Sequence, residues 1–105
     1  MNPKYTITPG GPHICIPLCR ANVSYSNIKN VFHTYIGEKC ISDIVTHSVK
    51  SRGAVNYKRV YIYFKKWPDN DNANYLYNKL INNEAVNIVY NEPLFWKCSI
   101  LRDTK

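Results

Sequence analysis

Acidic side chains are scarce in this chain. Seven Asp and Glu stand against 14 Lys and Arg in 105 residues, a formal net charge of +7. The shortage is local as well as global. From Lys50 to Lys66 there is no acid, and six bases fall there: Lys50, Arg52, Lys58, Arg59, Lys65 and Lys66. Such a balance attracts anionic partners, nucleic acid above all, through long-range fields and counterion release.

Other absences narrow the classes further. No apolar run is long enough to span a bilayer and none opens the chain, so we expect no membrane partner, no signal peptide and an intracellular location. Cys15, Cys19, Cys40 and Cys98 form no C-x-x-C pair. Zinc ribbons and thioredoxin-type motifs are thereby excluded, and free thiols with no metal are expected. Glycine is rare, with four residues, and no Gly-rich phosphate loop is present. There is no H-E-x-x-H pair and no nucleophile elbow, and His13, His33 and His47 make no catalytic constellation. Asp69-Asn70-Asp71 looks like the start of a calcium loop, but the remaining ligands do not follow, and a helix cap explains it better. A binding protein without cofactor is expected, not an enzyme.

What is present suits one domain with one core: 45% of residues are hydrophobic and 20% charged, ordinary values for a globular chain. Residues 1–12, with Pro3, Pro9, Gly10, Gly11 and Pro12, read as a flexible or extended lead-in. Residues 13–101 read as the domain and 102–105 as a polar tail. His13–Arg20 alternates as a strand, with Ile14, Ile16 and Leu18 on one face. Asn22–Tyr35 carries Ile28, Val31, Phe32 and Tyr35 at helical spacing, with Asn22 or Ser24 as cap and Gly37 as stop. Cys40–Val49 is a second strand with an imperfect period and hence a bulge. Lys50–Val55 is a basic loop, and Asn56–Lys66 is a third strand. Trp67–Asp71 turns into a second helix with the stripe Ala73, Leu76, Tyr77 and Leu80. Glu84–Tyr90 is a fourth strand. Leu94–Leu101 is one further extended segment beyond Pro93.

The expected fold class is therefore α+β, in the order β-α-β-β-α-β, a ferredoxin-like sandwich. Its antiparallel four-stranded sheet has both helices on one face and an extra C-terminal extended segment. The first and third strands lie adjacent in the middle, and the second sheet face is free.

The third strand carries the most information. Val60, Ile62 and Phe64 share one face and suit a core. Arg59, Tyr61 and Tyr63 share the other, with Lys58, Lys65 and Lys66 around them. Flat rings beside cations offer planes for bases and charge for phosphates. The candidate binding set is Arg59, Tyr61, Tyr63 and His13 for bases, and Lys50, Arg52, Lys58, Lys65 and Lys66 for phosphates. Trp67, Trp96 and His47 are possible extensions of the platform, although a Trp beside a Pro turn is more often core. The expected partner is RNA or single-stranded DNA, and no feature calls for a homo-oligomer.

This arrangement resembles the RNA-recognition-motif family over residues 13–90. The family's third-strand octamer aligns with Tyr57-Lys58-Arg59-Val60-Tyr61-Ile62-Tyr63-Phe64. Tyr61, Ile62 and Phe64 match; Arg59 stands for a ring and Lys58 for the usual Gly. The first-strand hexamer aligns with Ile14-Cys15-Ile16-Pro17-Leu18-Cys19, where Cys15 stands for a ring and His13 would substitute. The resemblance implies base stacking on Tyr61, with Ile62 and Phe64 in the core. The runs Val60–Trp67 and Val86–Lys97 are also similar to small proteins of this type from large nucleocytoplasmic DNA viruses, African swine fever virus among them. That likeness implies a viral protein of the host cytoplasm. A rival expectation is a protein-interaction or assembly module on the same scaffold, with Leu94–Leu101 covering the sheet face or pairing with a partner's edge strand, or with the face used for a protein partner.

Overall fold

A computed structural model describes residues 11–49, 53 and 55–101. Of the lead-in expected over 1–12, residues 1–10 lie outside the described residues, as do the loop bases Lys50 and Arg52 and the tail over 102–105, while Gly11 and Pro12 are described and buried. The elements run β1 (Ile14–Arg20), α1 (Tyr25–Ile36), β2 (Ile41–Ser48), β3 (Tyr57–Phe64), α2 (Asp71–Ile81), β4 (Val86–Asn91) and β5 (Leu94–Ile100). The fold is α+β, with one antiparallel sheet in the order β2-β3-β1-β5-β4 and two helices. Element order and topology are compatible with a ferredoxin-like fold, but with five strands and not the expected four.

Each helix begins where its cap can satisfy an orphan amide. Ser24 accepts from the Asn27 N–H at 3.1 Å and starts α1. The chain leaves α1 at Gly37, whose φ of 128° suits a residue without a side chain, and its N–H donates to the His33 carbonyl. Asn70 accepts from the Ala73 N–H at 2.8 Å and starts α2. The same Asn70 side chain donates to the Ile36 carbonyl at 2.7 Å, and Asn72 donates to the Tyr35 carbonyl at 2.9 Å. The first turn of α2 thus satisfies carbonyls at the end of α1, tying the helices together at one end.

The core lies between the helices and one face of the sheet. Ile28, Phe32 and Ile36 from α1 meet Ala73, Leu76 and Leu80 from α2, and both rows close over Ile14, Ile16, Val60, Ile62 and Phe64. Burying each large aliphatic or Phe side chain stabilises by about 1.5–3 kcal/mol. A one-residue slip of β3 would expose Val60, Ile62 and Phe64 and bury Arg59, Tyr61 and Tyr63, so the hydrophobic pattern holds this register.

Two expectations about the sheet are corrected. The strand beside β1 is β5, with Cys15 opposite Ser99, and the expected fourth strand, now β4, forms the outer edge of a β4–β5 hairpin. Leu94–Leu101 is therefore a sheet member and covers no face. In β1 the alternation breaks between Ile16 and Cys19, where the register against β3 shifts. Leu18 consequently turns out to 45% exposure and Cys19 turns in. Pro17 has no amide to give the ladder, which is the physical reason the bulge falls there. The bulge expected in β2 lies between Ile41 and Asp43.

Candidate nucleic-acid interface

Because β-strand side chains alternate, the core-facing rows leave a second set of residues on the opposite face. On β3 these are Tyr57, Arg59, Tyr61 and Tyr63, all half-buried except the exposed Arg59. Tyr61 lies opposite Val45 of β2 and Cys15 of β1, and Cys15 lies opposite Ser99 of β5. The central row across the open face is thus Val45, Tyr61, Cys15 and Ser99. In the next rows Arg59 pairs with His47, and Tyr63 with Asp43.

Each of the two central tyrosines has a histidine against it. His47 lies 5.3 Å from Tyr61, ring to ring, tilted by 58°. His13 meets Tyr63 edge to face at 5.0 Å, and its Nδ1 accepts from the Phe64 N–H at 3.1 Å. His13 is therefore not a free stacking plane. Partial burial lowers its pKa from 6.5, which favours the neutral ring this hydrogen bond requires. Its role is to hold Tyr63.

Cys15 occupies the gap between Tyr61 and Ser99. Burial raises its thiol pKa, and the neighbouring Arg59 charge acts in the opposite direction. The result is a small neutral group where a ring would otherwise continue the platform. All four cysteines are free thiols. Among the described residues no cluster of three His, Cys, Asp or Glu could hold a metal.

Several candidates lie elsewhere. Lys58 has the parity of Val60 and Ile62, so it leaves the open face; its Nζ donates to the Val23 carbonyl at 2.6 Å, tying β3 to the turn before α1. Trp96 is 1% exposed, stacked on Phe32 and Tyr90 with centroids at 6.2 and 4.4 Å. It faces the core because Trp96, Cys98 and Ile100 alternate inward. Among the described residues its buried indole N–H has no hydrogen-bond partner. Trp67 packs on Phe64 and Tyr77, and its Nε1 donates to the Ala73 carbonyl at 3.0 Å. Neither Trp extends the platform. Lys65 and Lys66 are exposed at the end of β3 away from Arg59, with both backbone amides donating to the Cys40 carbonyl.

Three open-face residues escaped the sequence reading: Phe95, Lys97 and Ser99 of β5. Their signal was present, since Phe95, Lys97 and Ser99 alternate with the buried Trp96, Cys98 and Ile100. The alternation alone does not show which strand lies beside β5, and so does not bring these residues to the Tyr61 face.

A second concavity of about 550 Å³ lies between α1 and β4, lined by Val31, Tyr35, Asn72, Ile88 and Tyr90 among others. None of its lining residues is charged, so it offers a polyanion nothing. The open face, in contrast, carries Arg59 and Lys97 with one acid, Asp43, opposite Tyr63, and among the described residues neither base forms an ion pair. No protein-family model, curated protein or solved structure matches this chain.

Proposed function

We propose that this chain binds single-stranded nucleic acid, RNA or DNA, on the open face of its sheet, in the manner of an RNA-recognition-motif domain. The observation that carries the proposal is the run of Arg59, Tyr61 and Tyr63 on a sheet face that no described helix or strand covers, with a formal net charge of +7 behind it. The tyrosine rings supply planes for bases, and Arg59 supplies charge or a stacking guanidinium. His13 and His47 fix the ring positions, which lowers the cost of ordering them on binding. Lys97 on the same face, and Lys65 and Lys66 beyond the Tyr63 end of β3, attract the phosphate backbone. The role is one of binding, not catalysis. Among the described residues no helix is long and apolar enough to cross a membrane. If the resemblance of the third-strand and C-terminal runs to proteins of large DNA viruses holds, the proposed activity would lie in the cytoplasm of an infected host.

Fluorescence anisotropy with labelled single-stranded oligonucleotides tests this directly. Base–aromatic stacking is worth about 1–3 kcal/mol per base, so Tyr61→Ala should weaken binding by about 5- to 150-fold at fixed salt. Equal affinity of Tyr61→Ala and the parent chain, or no binding to any oligonucleotide, would refute the proposal.

One observation favours a rival. The edge strand β4, Val-Asn-Ile-Val-Tyr-Asn, carries no charge or proline to deter pairing with a partner's strand. A protein-interaction module would use that edge, and oligonucleotides would not compete for it.

A further inference from the structure

The open face does not end at the tyrosines. Across the β4–β5 hairpin, Phe95 stands opposite Val89, and Lys97 stands opposite Asn87. Ile88 and Trp96, the pair between them, are buried on the helix side. Alternation therefore puts Phe95, Val89, Lys97 and Asn87 on the same face as Tyr61. Phe95 and Val89 are both 52% exposed, and Lys97 is exposed beside them. Every other phenylalanine is buried in the core: Phe32 under Trp96, and Phe64 against Trp67. Phe95 alone is turned outward, and among the described residues no ring packs against it.

The register locates this ring relative to the centre. Tyr61, Cys15 and Ser99 lie in one row, and Phe95 is four residues from Ser99 along β5. Two interstrand steps of about 4.8 Å and four residues of about 3.4 Å put Phe95 about 17 Å from Tyr61. At about 3.4 Å per stacked nucleotide, that is about five nucleotides.

We propose that Phe95, with Lys97 beside it, is a second stacking subsite for the same nucleic-acid strand, so that the ligand crosses the sheet from β3 to the β4–β5 hairpin. This rests on the function proposed above. Two features select a nucleic acid over a second copy of this chain as the occupant. The ring has a cation two residues along its own strand and on its own face, the combination that a base with its phosphate uses. A chain carrying +7 also repels its own copy and attracts a polyanion. The break in β1 at Pro17 and Leu18 suits this path, because the β1–β5 pairing ends at Cys15 and Ser99, leaving the Phe95 end of the hairpin held by β4.

The test is a length series with the full chain. Poly-pyrimidine oligonucleotides of about four and about ten nucleotides are titrated against the parent, Tyr61→Ala, Phe95→Ala, Phe95→Leu and Phe95→Tyr chains. The expected result is that Phe95→Ala and Phe95→Leu lose about tenfold in affinity for the long oligonucleotide and nothing for the short one. Phe95→Tyr, which keeps the plane, should bind like the parent, and Tyr61→Ala should lose affinity for both lengths. Phe95 is exposed, so thermal melts of its variants should match the parent. If Phe95→Leu equals the parent at both lengths while Tyr61→Ala fails, the second subsite is refuted and the central site stands. If no chain binds any oligonucleotide, the function proposed above is refuted and the subsite with it. If light scattering shows a parent dimer that Phe95→Ala dissociates, the exposed ring belongs to a copy–copy contact and the subsite is refuted.

Discussion

A hydrogen bond and a ring contact at His13 illustrate how one residue can serve a site without touching a ligand. The Nδ1 atom accepts from the Phe64 N–H, so the ring must be unprotonated at that nitrogen, and its edge supports Tyr63. Burial lowers the folded-state pKa below 6.5. A depressed pKa contributes stability above the unfolded-state value, and that contribution is lost as pH falls through the folded-state value. Thermal melts should therefore show the melting temperature falling as pH drops below about 6.5. His13→Asn, whose amide oxygen keeps an acceptor without titrating there, should flatten that part of the profile. An unchanged pH profile in His13→Asn would show that His13 is not the group responsible. The residue scale also decides between the two readings open for Trp96, since a Trp three residues past Pro93 in an aromatic run has the composition of a platform as well as of a core. Only strand parity reveals that it faces Phe32 and the core.

At the scale of elements, β3 was the most legible part of the chain. Its alternation of Val60, Ile62 and Phe64 with Arg59, Tyr61 and Tyr63 is uninterrupted, and the structure keeps these two faces apart. Both helices were legible for a similar reason: their apolar stripes are regular, and Ser24 and Asn70 are strong caps. The sheet edge was less so. Which of two successive strands lies beside β1 depends on long-range pairing, and Val86–Asn91 and Leu94–Ile100 alternate equally well. The bulge at Pro17 was half legible, since proline's missing amide was clear but the inward turn of Cys19 depends on the partner strand. The charge of Lys58 suggests a phosphate contact, but its parity with Val60 and Ile62 turns it away from the open face. Cys15 offers a test at this scale. It fills the slot next to Tyr61 where a ring would extend the platform, and the site is only half-buried. Cys15→Phe should raise affinity for single-stranded oligonucleotides by about tenfold, with a far-UV circular dichroism spectrum like the parent's. A drop in affinity with the fold intact would mean that bases do not pass over this row.

For the whole molecule, charge is the property that reaches furthest. Among the described residues the bases do not all lie on the open face, so on the proposed reading only part of the charge would meet the ligand. The structure separates the two kinds of base. Arg59 projects from the open face, whereas Lys58, its neighbour in sequence, is spent on the Val23 carbonyl. Removing a phosphate contact on a single strand reduces the slope of log K against log salt by about 0.7. Arg59→Gln should show a reduction of that size. Lys58→Gln should leave the slope unchanged and instead cost about 1 kcal/mol of stability in urea melts, through the lost hydrogen bond. Equal slope changes in the two variants would mean that binding is a diffuse attraction and that the open face has no special part in it.

The central claim is that the uncovered sheet face is the binding surface, and amide chemical-shift mapping by NMR tests it most directly. On adding a single-stranded oligonucleotide, the signals of Cys15, Tyr61, Tyr63 and Ser99 should move together, and those of α1 and α2 should stay in place. Shifts confined to the α1–β4 groove around Val31, Tyr35 and Tyr90, or no shifts with either RNA or DNA, would contradict it.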